Sequence, residues 1–166
     1  MDRKRARVGK RLPHWNARGE ARMVDVGEKP ATARTATATA RVRLGAGTAD
    51  RIAAGTIPKG DVMSVARLAG IAASKRTDEL IPLCHRIALT AVEVDLRLDR
   101  TGRAVDVTAT ARAFDRTGVE MEALVAASVA SLTLYDMLKG IDRGIHFEVA
   151  LLEKAGGKSG TWNRTA

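Results

Sequence analysis

Glu122 and Asp136 are the carboxylates whose placement first asks for a chemical role, because the run from Gly118 to Lys139 carries charge only near its two ends. At 100° per residue a helix puts Glu122, Val125, Val129, Leu132, Thr133 and Asp136 on one stripe. Glu122 has a structural reading as an acid at the amino end of a helix dipole. Asp136 has none, since an anion near the carboxyl end is disfavoured and so needs a neighbouring cation or a catalytic task. Lys139, three residues on, faces the same way and supplies either an ordinary surface pair or an acid-base partner. Fourteen residues of helix separate the two carboxylates by about 21 Å, too far to act on one atom. Either they serve different sites, or a neighbouring subunit completes each one.

A second group lies in the loop Leu80–His85, interrupted by Pro82. There a ring nitrogen of His85 can reach a ligand or move a proton, or serve a structural role alone. Cys84 is its neighbour, but adjacent residues of an extended segment point to opposite faces, so a Cys/His nucleophilic pair is not expected. One cysteine and three scattered histidines give no recurring ligand spacing, so no metal site is expected. The tail of the chain, Gly156-Gly157-Lys158-Ser159, partly matches a phosphate loop, but Leu152 stands where the earlier glycine is required and no helix follows. It is not a Walker A motif, although a glycine run carrying Lys154 and Lys158 could still close over an anion. Arg34 and Lys59 invite the same reading, each being by itself an ordinary surface cation.

The elements that must position these residues are legible from periodicity. Residues 32–44 alternate small apolar residues with Thr and Arg, as a half-buried strand does. Thr48 caps a short helix to Ala54, and Asp61 caps a second with Val62, Val65, Ala66, Ala69, Ala72 and Ala73 as its expected inner face and Lys75 and Arg76 at its end. Residues 87–99 and 103–114 alternate again around Asp99-Arg100-Thr101-Gly102, a hairpin signal. A long helix from Gly118 to about Gly140 and a strand from Ile145 to Glu153 follow. The order β-αα-β-β-α-β predicts an α+β fold, a ferredoxin-like antiparallel sheet covered by helices on one face.

With 166 residues and 45% apolar content, one domain is expected, here residues 12–160, between a disordered basic tail at 1–11 and a flexible C-terminus at 161–166. In the tail, Arg3, Lys4, Arg5, Arg7, Lys10 and Arg11 against Asp2 contribute +5 of the net +9, leaving +4 for the remainder. That dispersed charge, with only 3% aromatic residues, argues against the main competing class, a nucleic-acid-binding domain. No nucleic-acid partner is expected. The segment after Arg11 provides no apolar signal core, and the uncharged stretch Ala123–Tyr135 falls short of the roughly 20 residues of a membrane span. With a single cysteine, a reducing cytoplasm fits best.

Taken together, these segments resemble one family, the molybdenum cofactor biosynthesis C proteins. The similarity is collinear from His14 to Gly160. It includes Met23–Val26 with Lys29, Thr32 and Arg34, then Lys59-Gly60-Asp61, Ala66–Ile71, Lys75-Arg76-Thr77, Leu80–His85, Thr117–Leu124, Tyr135-Asp136-Met137, Lys139 and Leu152–Gly160. The resemblance implies a lyase, a cyclic pyranopterin monophosphate synthase that converts (8S)-3′,8-cyclo-7,8-dihydroguanosine 5′-triphosphate to cyclic pyranopterin monophosphate and diphosphate. It implies a homohexamer, a trimer of dimers with sites between subunits.

The catalytic aspartate of the family falls on Asp136, with Lys139 as acid or charge partner and Lys59 as a further catalytic candidate. Arg34, Lys75, Lys154 and Lys158 match the basic set expected to hold phosphates. Leu83, Cys84 and His85, with Met121 and Glu122, match the substrate-contacting segments. No cofactor is required, though Mg²⁺ could accompany the triphosphate. Two features depart from the pattern. Arg86 stands where the family usually has a proline after the histidine, leaving the loop freer and admitting a catalytically inactive scaffold subunit as a further reading. The basic residues 1–11 lie outside the similarity and inherit no function from it.

Overall fold

A computed structural model of the chain describes Asn16 and residues 18–165. The basic residues 1–11, and His14 at the start of the similarity, lie outside the described residues. The first strand, β1 (Thr32–Arg43), follows its alternation closely: Ala36, Ala38, Ala40 and Val42 are at most 1% exposed, while Thr39 and Arg41 lie on the opposite, partly open face. After α1 (Ala46–Ala53), α2 (Val62–Ser74) and the short α3 (Thr77–Leu80), the hairpin β2 (Leu89–Asp99) and β3 (Ala104–Asp115) forms. The chain continues as α4 (Glu120–Leu138), β4 (His146–Ala155) and β5 (Trp162–Asn163). The sheet order is β2-β3-β1-β4-β5, every pairing antiparallel. The first four strands have the ferredoxin-like order, as expected, and α2 and α4 cover one face.

Small residues set the spacing of the two layers. Ala123, Ala127, Ala130, Leu134 and Leu138 of α4 are fully buried in the core that includes the alanine and valine faces of β1 and β3. By length and composition α4 could cross a membrane, but half of it is buried inside the fold, where it serves as the core helix. Gly70 of α2 sits against α4 so closely that a Cβ there would lie 2.8 Å from the Ala126 carbonyl oxygen.

That close seam corrects part of the expected inner face of α2. Val62 and Ala66 are buried as expected, but Gly70 and Ser74 complete the buried row at a strict spacing of four, whereas Val65 and Ala72 are exposed and Ala69 and Ala73 only partly covered. Gly70 and Ser74 turn inward in place of the bulkier Val65. Asp61 does cap α2, accepting from the Met63 and Ser64 amides at 3.1 and 3.0 Å. Thr48 does not cap α1. Gly45 holds that position, and the Asp142 carboxylate accepts from its amide at 2.7 Å and from the Thr48 hydroxyl at 3.1 Å. Within the expected C-terminal segment, Trp162 and Asn163 pair with Lys154 and Glu153 as a two-residue strand. Its shortness left no periodicity to read.

Candidate active site

At the carboxyl end of α4, Asp136 finds the cations its position demands. Lys139 approaches Asp136 Oδ1 to 2.7 Å through the i, i+3 geometry of the helix. Lys59 arrives from the loop before α2, where Gly60 adopts a φ of 85° that turns the chain into the Asp61 cap. Its Nζ donates to the Asp136 carbonyl at 2.9 Å and lies 3.6 Å from Oδ2. The hydrogen bond from Lys139 and the two positive charges hold the Asp136 carboxyl below its ordinary range, and the same partner raises Lys139. Around neutral pH this is a carboxylate flanked by two ammonium groups, roughly half exposed to solvent.

The amino end of α4 holds a different environment. Glu122 is 2% exposed, and among the described residues its Oε2 has no hydrogen-bond partner. The Cys84 thiol reaches Oε1 at 3.9 Å. Burial without a cation pushes the Glu122 carboxyl up to about 7. Burial, reinforced by Glu122 and Asp78, pushes Cys84 up to about 11. The thiol therefore stays protonated near neutrality and is no ready nucleophile. His85 and Cys84 reach different partners: the Nε2 of His85 lies 2.6 Å from the Val24 carbonyl. A carbonyl only accepts, so Nε2 carries the hydrogen and a neutral His85 presents Nδ1 as its acceptor. Leu83, Cys84, His85, Glu120 and Met121 line a hollow of about 550 Å³ here. The seam of Gly70 on Ala126 and the contact of Lys59 with Asp136 make α2 antiparallel to α4, so Lys75, which ends α2, also lies toward this end.

Beside it is a larger basic hollow of about 820 Å³, bounded by Arg34, Lys154, Lys158, Lys29 and Arg116, with Glu28 and Glu120 as the acids. The two hollows share Thr117, Gly118 and Glu120, so they adjoin. Lys154 donates to the Ser159 hydroxyl at 2.5 Å and lies 3.5 Å from Glu120. Glu120, Lys29 and Arg116 join the predicted residues at this hollow. Glu120 falls off the Glu122–Asp136 stripe and reads as one more first-turn acid; only the packing of β4 beside α4 gives it a lysine.

The predicted residues thus fall into two groups. Asp136, Lys59 and Lys139 lie at one end of α4, and Leu83, Cys84, His85, Met121, Glu122, Arg34, Lys75, Lys154 and Lys158 lie toward the other. A hollow rich in cations suits a polyphosphate, an adjoining apolar hollow suits a ring, and a carboxylate between ammonium groups suits proton transfer. Among the described residues no group of three or more His, Cys, Asp or Glu side chains could hold a metal ion.

The model of the MoaC family matches residues 23–157. A protein of Thermomicrobium roseum named cyclic pyranopterin monophosphate synthase is 54% identical over 154 residues, covering 92% of this chain and 93% of the relative. Relatives of the same name from Parvibaculum lavamentivorans and Geotalea uraniireducens are 53% and 56% identical, over 93% and 91% of this chain and 98% and 95% of their own. With the family model matching most of its length and relatives above half identity, this chain belongs to the MoaC family.

Proposed function

We propose that this protein is a cyclic pyranopterin monophosphate synthase, a lyase of molybdenum cofactor biosynthesis. It converts (8S)-3′,8-cyclo-7,8-dihydroguanosine 5′-triphosphate to cyclic pyranopterin monophosphate and diphosphate. The observation that carries the reading is the Asp136 carboxylate held between Lys59 and Lys139, in a chain more than half identical to proteins of that name. To leave a cyclic monophosphate, a substrate hydroxyl must displace diphosphate at the innermost phosphorus. That step needs a proton acceptor for the hydroxyl and positive charge for the departing anion. Asp136, ionised, accepts the proton. Lys139, kept protonated by the same pair, serves as acid, and Lys59 stabilises charge beside it.

In this reading the basic hollow takes the phosphates through Lys154 and Lys158, with Lys75 and Arg34 in support. Leu83–His85, Met121 and Glu122 hold the ring system. Any Mg²⁺ arrives on the polyphosphate as part of the substrate. Because a single α4 keeps the two groups about 21 Å apart, each site is assembled from two subunits of a homohexamer, a trimer of dimers, working in the cytoplasm. Exposed apolar side chains on the helical layer, Leu68 at 67% and Leu132 at 57%, support burial against another copy. Incubation with the cyclised triphosphate tests the activity. Diphosphate and the pyranopterin product should form with the unaltered protein and not with Asp136→Asn, and no product from either would reject the assignment.

A further inference from the structure

Arg34 has less freedom to bind a ligand than its place in the basic hollow implies. It projects from β1, and its Nε and Nη2 both donate to backbone carbonyls, of Asp115 and Arg116 respectively, each at 3.2 Å. These carbonyls belong to the end of β3 and the segment that leads into Thr117 and Gly118, the stretch shared by the two hollows. On the other side, the Gly156-Gly157 turn is laid directly against β1 and the guanidinium. Both glycines take positive φ, 100° and 70°. A Cβ on Gly156 would collide with the Ala33 carbonyl, and one on Gly157 would overlap the Arg34 head group. The glycines are therefore required by the closeness of the approach as well as by their φ.

We propose that Arg34 is a positioning residue that clamps the Gly156-Gly157 turn to the end of β3, so that Lys154 and Lys158 are held facing the basic hollow. A flat, forked cation suits this task. It donates to two carbonyls at once while its Nη1 end meets a backbone with no side chains, which a lysine ammonium cannot reproduce. The inference rests on the reading of the hollow as a phosphate site only for its functional consequence; the clamp itself is independent of that reading.

Two measurements on the full-length protein separate these parts. Hydrogen exchange of the amides in residues 155–160 reads the order of the turn, and calorimetric titration with inorganic tripolyphosphate reads the hollow. Arg34→Lys keeps the charge and removes the fork. It should speed exchange in 155–160 by about ten-fold or more and weaken tripolyphosphate by about ten-fold, with the thermal midpoint showing that the fold is retained. Gly157→Ala, which attacks the same contact from the turn, should give the same two changes. Lys158→Ala should weaken tripolyphosphate without altering exchange. If Arg34→Lys matches the unaltered protein in both readouts, Arg34 is a charge and not a clamp, and the proposal fails. If the unaltered protein does not bind tripolyphosphate while Arg34→Lys and Gly157→Ala still release the turn, the clamp stands and the phosphate reading falls.

Discussion

Asp136 and Glu122 are both carboxylates on one helix, and their surroundings drive them to opposite states. Asp136 keeps its charge through Lys139 and Lys59, and its half-exposed ion pairs contribute little to stability. With Asp136 as the proposed proton acceptor, Asp136→Asn should cost about 100-fold or more in turnover while leaving the thermal midpoint nearly unchanged, which steady-state assay and calorimetry would show together. Glu122 behaves inversely. Its carboxyl titrates near 7 in the fold against an ordinary 4.5, so between those values the folded chain holds a proton that the unfolded chain has lost. Stability from this group consequently falls as pH rises from about 4.5 to about 7 and is level above that. At roughly 1.4 kcal/mol per unit, the upper bound is about 3 kcal/mol. Glu122→Gln should stabilise the protein at pH 8 and make no difference below pH 4, measured by urea denaturation at both; equal effects at both would refute the burial argument. The need for a cation at Asp136 was legible because helix polarity alone demands one. The state of Glu122 was not, since a first-turn acid looks the same in sequence whether the fold leaves it in water or covers it.

Elements differ in how much of their packing is written in their own residues. The face of β1 could be read because its two sides differ chemically, alanine and valine against threonine and arginine, and the period of two fixes the register. The face of α2 could be read only in part, because Val65, Ala69, Ala72 and Ala73 are more apolar than Gly70 and Ser74, which turn inward. What decides is the closeness of α4, and closeness is a property of the pair. Gly70→Ala measures it. Alanine is the better helix former, yet its Cβ would stand 2.8 Å from the backbone oxygen of Ala126, which cannot swing aside. The variant should lose about 1–3 kcal/mol. Gly47→Ala in α1, where a Cβ meets nothing within 4 Å, should instead gain about 0.5–1 kcal/mol. Opposite signs from the same substitution in two helices would establish that the α2–α4 seam is limited by backbone approach; a gain at Gly70 would show that the helices can part at little cost.

At the scale of the whole molecule, the proposed function asks two groups at opposite ends of α4 to act on one substrate. The helix is packed along its length against β1, β3, β4 and α2, so bending it to join its ends would sacrifice the core. The spacing was legible in the sequence; which surfaces of two copies meet was not, because residues such as Leu68 and Leu132 read as ordinary helix positions until the fold leaves them outside. A shared site has a consequence that a site within one subunit lacks. In the proposed shared site, Asp136→Asn would spoil one half and Lys154→Ala the other, so each variant alone should be nearly inactive. In mixed oligomers assembled by co-expression in equal amounts, a site is whole when its Asp136 comes from a Lys154→Ala subunit and its Lys154 from an Asp136→Asn subunit. Random assembly makes about a quarter of the sites whole. Activity should therefore return to about a quarter of the unaltered level per site in the mixture, and remain absent when the separately purified variants are combined without subunit exchange. Recovery of that size requires two chains per site; no recovery from well-mixed oligomers would place both groups' work within a single chain and remove the reason for assembly.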